Sequence, residues 1–156
     1  MNCYFLYMHG RVYVTKSRFV PASADILRGM NMRLAKINLA DKFSLFSDQF
    51  SPKIVGELND FYVKLVKLQG PFVWHHHDVE DELFFVVKGA LKMGVRENGV
   101  EREILIHPGE FLIMPHGVEH CPSADEETHI MLLEPKSTLN TGNVEGERTV
   151  HGLQRI

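Results

Sequence analysis

Cysteine is scarce in this chain. Cys3 and Cys121 are the only two in 156 residues, too few to form the disulfide framework on which small secreted domains rely. A reducing compartment follows, and a cytoplasmic location is the expectation. Long apolar runs are also missing. The hydrophobic stretches are strand-sized, and Met1 to Met8 has neither a basic start nor an extended apolar segment, so neither a membrane span nor a signal peptide is expected. Excess charge of one sign is the third absence. Seventeen Lys and Arg against twenty Asp and Glu leave a net −3, with no basic field to draw nucleic acid or an anionic membrane surface. What remains as partner is a small-molecule ligand or substrate, or another protein. With 44% hydrophobic residues the chain can bury one real core.

Three segments are expected. Residues 1–31 fit the rest poorly: Cys3 to Val14 is aromatic and strand-like, and Ser23-Ala24-Asp25 could cap a short helix. This segment reads as an extension the domain can do without; the alternative is an N-terminal strand that joins the sheet or a partner subunit. Residues 32–135 form the domain itself. Met32 to Phe46 moves from an extended piece into a helical turn, and after Pro52 strand follows strand, punctuated by Asn59-Asp60, Gly70-Pro71, Glu97-Asn98-Gly99 and His107-Pro108-Gly109. Eight or nine short strands with frequent turns predict an all-β sandwich or barrel. Residues 136–156 carry Gly142, Gly146 and Gly152 among polar residues and read as an extended C-terminal arm.

The chemistry concentrates in Trp74-His75-His76-His77-Asp78-Val79-Glu80-Asp81-Glu82. Side chains two apart on a strand share a face, so His75 and His77 can point to one centre while His76 points away. Four residues then allow a tight turn that returns Glu82 toward the pair. A second stretch, Gly109 to His120, supplies His120. Three imidazoles and one carboxylate suit a single divalent transition metal ion, with iron, manganese, nickel, cobalt and zinc all compatible.

These residues resemble the two motifs of the cupin family. His75-x-His77, four residues, Glu82, six residues and Gly89 match the first; Gly109, Pro115, Gly117 and His120 match the second. Gly70 stands one residue closer to the first histidine than the usual spacing, and Ala124 replaces the Asn often found four residues after the last one. The resemblance covers roughly residues 33–135 and is nearest to small single-domain cupins labelled sugar-phosphate-isomerase-like, a label resting on fold more than chemistry. It implies a double-stranded β-helix, that is, a jelly-roll barrel, with a short N-terminal helical turn, extended tails, and His75, His77, Glu82 and His120 as ligands to a metal with open coordination positions. Small barrels of this family commonly pair, so a homodimer is expected.

Other residues read more blandly. His107, His116 and His129 lack the pattern, Cys121 reads as a core thiol facing away from the metal, and Phe84, Val86, Phe111, Ile113, Met114 and Met131 read as mostly core, with some lining the barrel mouth. Tyr62, Lys64 and His116 are the weak candidates for an acid or base. Three functions survive: a metalloenzyme, oxygenase or isomerase; a module that binds or senses a small polar ligand; and a structural relic, against which the full ligand set argues. A phosphosugar isomerase would need several cations in the pocket, and strand alternation sends several of Lys64, Lys67, Lys88, Lys92, Arg96 and Arg102 to solvent.

Overall fold

The structure, a computed structural model, describes Tyr4–Met8, Arg11–Thr15 and residues 35–156. Strands β1 (Tyr4–Met8) and β2 (Arg11–Thr15) pair antiparallel with each other, from Tyr4 opposite Thr15 to Met8 opposite Arg11. The helix expected near Ser23 lies outside the described residues. A second unit runs from Ile37 to Ile156 and opens with the expected helical turn, α1 (Leu39–Phe43). Asn38 caps it, its side-chain oxygen accepting from the Ala40 and Asp41 amides, and the turn buries Phe43 against the His129 ring, 4.3 Å between centroids.

Seven strands build the barrel: β3 (Lys53–Leu58), β4 (Phe61–Pro71), β5 (Glu82–Lys88), β6 (Leu91–Glu97), β7 (Val100–Ile106), β8 (Phe111–Met114) and β9 (Glu119–Pro135). This is the expected all-β jelly roll. The long β9 closes it: its first residues pair with β6, from Arg96 opposite Glu119 to Lys92 opposite Ser123, and its later ones lie between β4 and β5. Asn98 and Gly99 both take positive φ, the geometry of a two-residue hairpin whose twist matches its strands, and join β6 to β7. Gly89 also has φ +83, and a Cβ there would sit 2.4 Å from the Thr128 hydroxyl, so the turn into β6 demands glycine.

Three readings need correction. Gly70 does not end its strand; it takes φ +81 at a bulge, and β4 continues to Pro71. Phe111 and Ile113 are 60% and 54% exposed. They share a face, and β8 turns the opposite one, Leu112 and Met114, inward, so one short strand could not bury all of them. Met131 is half-buried on the outer face for the same reason of parity, while Phe84, Val86 and Met114 are core as expected.

Candidate metal centre

Burial brings the four expected residues together. His75, His77, Glu82 and His120 are each at most 4% exposed, and one donor atom from each lies within 4.8 Å of the others. His75 and His120 face each other across an isolated bridge, each amide donating to the other's carbonyl at 3.0 and 2.8 Å. The Gly117 amide donates to the His77 carbonyl (2.7 Å), which ties the bend before His120 to the first motif. Glu82 begins β5 opposite Met114. Asp81, beside it, accepts from the His116 amide and ring (2.9 and 2.7 Å), so the acid next to the site holds the bend rather than facing the centre.

Local hydrogen bonds fix which ring nitrogens face inward. Nδ1 of His75 donates to the Val73 carbonyl (3.0 Å) and Nδ1 of His120 to that of Val118 (2.9 Å), leaving both Nε2 lone pairs free. Glu82 Oε2 stands 3.2 Å from His77 Nε2 and 3.3 Å from His120 Nε2. Those three atoms are buried without a hydrogen-bond partner. Orphaned polar atoms in an interior are rare, and a convergent set of lone pairs is what a cation satisfies. The donor set therefore fits one divalent transition metal ion. Burial, and then the neighbouring His120, push His75 down to about 4, which keeps it neutral and able to ligate at neutral pH.

Behind Glu82 lies a pair that sequence reasoning missed. Lys64 and Glu134 are 0% and 1% exposed with Nζ and Oε1 2.5 Å apart. Burial, and then the Glu82 carboxylate, raise Glu134 well above the usual carboxylate range, against the pull of Lys64. Glu82 is held well below it: burial opposes this but is outweighed by the adjacent His120, His77 and Glu134. Alternation was the available signal, since Lys64 shares its face with core residues Val66 and Leu68 and pairs with Leu132.

The cavity beside the ligands is about 50 Å³, room for a few waters. His75, Glu82, Glu134 and Asn140 are its polar lining; Phe50, Phe72 and Phe84 are its aromatic walls. Phe50 and Phe72 stack with centroids 5.2 Å apart, and Phe72 meets the His75 ring edge-on at 5.5 Å. Phe50 holds φ +56, a strained conformation for a bulky side chain. The C-terminal arm completes the site. Asn143 accepts from the His76 amide (2.9 Å) and donates its own amide to the His76 carbonyl (3.0 Å), while Gly142, φ +51, approaches so closely that a Cβ would meet that oxygen at 2.1 Å. The glycines of the arm, read as marks of an extended tail, include one that allows this contact.

The remaining candidates stay outside. Tyr62 stands among Lys136 and Arg155 of the arm, His116 is exposed, and His76 faces Asp78 at 3.2 Å. Cys121 does face away from the metal, but it is half-buried beside Trp74 and Gly94 rather than in the core; burial raises its thiol above the ordinary value. No Lys or Arg lines the cavity among the described residues. No described helix is long and apolar enough to cross a membrane.

Comparison with known proteins gives a family. The family model for the cupin domain matches residues 63–134. A cupin-2 domain protein of Shewanella frigidimarina is 46% identical, with TM-score 0.61, over 64% of this chain and 94% of its own. Bacillus subtilis YdbB is 32% identical over 82 residues, 53% of this chain and 70% of that protein. The 3-hydroxyanthranilate 3,4-dioxygenase of Danio rerio is 30% identical over 88 residues, which span 54% of this chain but 31% of the enzyme.

Proposed function

The chain belongs to the cupin family, and from that premise we propose that it is a metalloenzyme, an iron-dependent oxygenase acting on a small organic substrate in the barrel mouth. The observation that carries the reading is the set of orphaned buried donors on His77, Glu82 and His120, completed by His75. These four residues would hold the ion. Iron at such a site supplies activation of dioxygen and a Lewis acid for a substrate that displaces water. The chain's own part is to keep the His75 imidazole neutral, present a charged carboxylate, and surround the open side with phenylalanines that exclude water. Similarity to a dioxygenase supports oxygen chemistry over isomerisation, and so does a cavity without cations.

Elemental analysis of protein purified without added metal or chelator, beside Glu82→Ala, is the first test. About one transition metal ion per chain, lost in the variant, is expected, with oxygen uptake by the iron-loaded protein on a panel of small phenols and organic acids. A protein that neither contains nor takes up metal would replace this reading with a non-catalytic small-ligand module.

Three further readings belong here. A homodimer is supported by Phe111 and Ile113, exposed on β8 at the edge of its sheet; light scattering that finds a monomer at micromolar concentration rejects it. A cytoplasmic location is supported by the free thiol of Cys121 and is checked by fractionation of the source cells. Residues 1–31 as a dispensable extension are supported by the division of the chain between Lys36 and Ile37; a chain begun at Met32 should keep the metal and thermal midpoint of the full one.

A further inference from the structure

Four arginines stand in the unit from Ile37 to Ile156, and three are paired with carboxylates. Arg96 meets Glu101 and Glu119, Arg102 meets Glu97, and Arg155 meets Glu57. Arg148 has no acidic partner among the described residues. Its guanidinium instead lies over the Phe50 ring, 4.3 Å from the centroid, and 5.9 Å from that of Phe72. Phe50 and Phe72 are the stacked pair that walls the metal cavity, and Phe72 touches His75. One unpaired cation therefore contacts the aromatic wall from an adjoining groove that shares Phe50 with the cavity, two ring contacts from a proposed ligand.

The mounting is specific. Asn140, which lines the cavity, donates from Nδ2 to the Arg148 carbonyl (2.8 Å) and accepts from the Val150 amide through Oδ1 (2.8 Å), so one side chain clamps the backbone on both sides of Thr149. The Thr149 hydroxyl meets that of Thr141 at 2.8 Å and accepts from the Gly146 amide at 2.9 Å, and Thr141 is 1% exposed. A guanidinium held over a ring by cation–π attraction still carries N–H donors in a fork that matches a carboxylate.

Resting on the reading of the metal cavity as a substrate site, we propose that Arg148 is the specificity-determining residue that binds a carboxylate on a planar, unsaturated or aromatic substrate, whose body lies against Phe50 and Phe72 and whose other end reaches the metal. The cavity supplies no second cation, so a single-charge carboxylate fits where a phosphate would lack partners. The phenylalanine walls fit a flat apolar body rather than a sugar.

Calorimetry on the full chain loaded with zinc tests this with three probes sharing one ring: 4-hydroxybenzoate, neutral 4-hydroxybenzyl alcohol and phenyl phosphate. The wild type should bind the carboxylate more tightly than the alcohol. Arg148→Gln should lose roughly ten- to hundredfold in affinity for the carboxylate, the range of a charge-assisted hydrogen bond, and bind the alcohol as before; Arg148→Lys should recover part of the preference. Equal binding of acid and alcohol by the wild type, a preference that survives in Arg148→Gln, a preference for the phosphate, or equal weakening of all three probes in Arg148→Gln would each overturn the proposal, the last by making Arg148 a latch for the rim. Zinc content measured on the same samples keeps the two readings apart: a chain that takes up no zinc counts against the metal site, whereas an arginine-independent preference in zinc-loaded protein counts against Arg148 alone.

Discussion

Two buried clusters lie side by side in the barrel, and they solve the same problem differently. Each contains a carboxylate removed from water, a costly state unless its charge is matched. Glu134 has Lys64 at 2.5 Å. Glu82 stays charged among three imidazoles whose free lone pairs also point inward. The first cluster sets a cation of the chain against its carboxylate. The second lacks a positive charge that the sequence does not provide, and that difference identifies it as the metal centre. Nearness in space is shared by both, so proximity of charged groups does not by itself distinguish a site from a structural pair.

The largest expected effect follows from removing a donor. Glu82→Ala or His77→Ala should take metal content from about one ion per chain to near zero while circular dichroism still reports a β protein. Full occupancy in either variant would remove the distinction just drawn. Breaking the other cluster should do the opposite. Lys64→Met leaves Glu134 buried without its cation and should cost about 3–5 kcal/mol in urea unfolding, with metal stoichiometry retained; Lys64→Met with Glu134→Leu should recover most of that loss, as replaced buried pairs commonly do. A double variant no better than the single one would show that Glu134 supports Glu82 as well as Lys64.

The sequence disclosed the two clusters unequally, for a physical reason. His75, His77 and Glu82 sit in one strand-turn segment, and period-two alternation with a turn of four residues is enough to converge them. His120 came from a second motif of the same kind. Lys64 and Glu134 meet only because β4 and β9 pair in one register, Tyr62 opposite Glu134 and Lys64 opposite Leu132, and no local spacing encodes a register between strands seventy residues apart. Asn140, Asn143 and Arg148 were hidden for a related reason. Polar, glycine-bearing tails usually dissolve, and what holds this one down is the close approach of Gly142 to His76, visible only once the barrel is closed. β8 shows the reverse error: Phe111 and Ile113 read as core by composition, although alternation alone would have set them opposite Met114.

Acid should separate the clusters further. His75 falls from 6.5 to about 4 on folding, so between those values the unfolded chain binds more protons than the folded one. Stability of the metal-free protein is thus held above pH 6.5 and lost as pH falls toward 4, by an order of magnitude of about 3 kcal/mol from this group. Urea unfolding of metal-free wild type across that window should show the slope, and His75→Gln should flatten it. With metal bound, the same window should release the ion as protons compete for the ring. A slope unchanged in the variant would mean that another group carries the acid sensitivity.

Gly142→Ala should act on the metal centre from outside. The φ of +51 and the 2.1 Å approach to the His76 carbonyl leave a side chain no place, so the arm must lift, at about 1–3 kcal/mol for a strained left-handed residue. Limited proteolysis should cut the arm of the variant sooner, with metal affinity lowered and the barrel intact. Proteolysis at the wild-type rate would mean that other contacts carry the arm.

The smallest effect isolates burial itself. Lys92 and Asp125 are 2.6 Å apart, nearly the separation of Lys64 and Glu134, but their side chains are 34% and 77% exposed. Water and salt screen such a pair, and ordering two mobile side chains offsets what attraction remains. Lys92→Met should therefore leave the thermal midpoint unchanged within error and insensitive to added salt. If it lowered the midpoint as far as Lys64→Met does, desolvation could not be what sets the interior pair apart, and the argument that an uncompensated interior charge marks the metal centre would lose its physical basis.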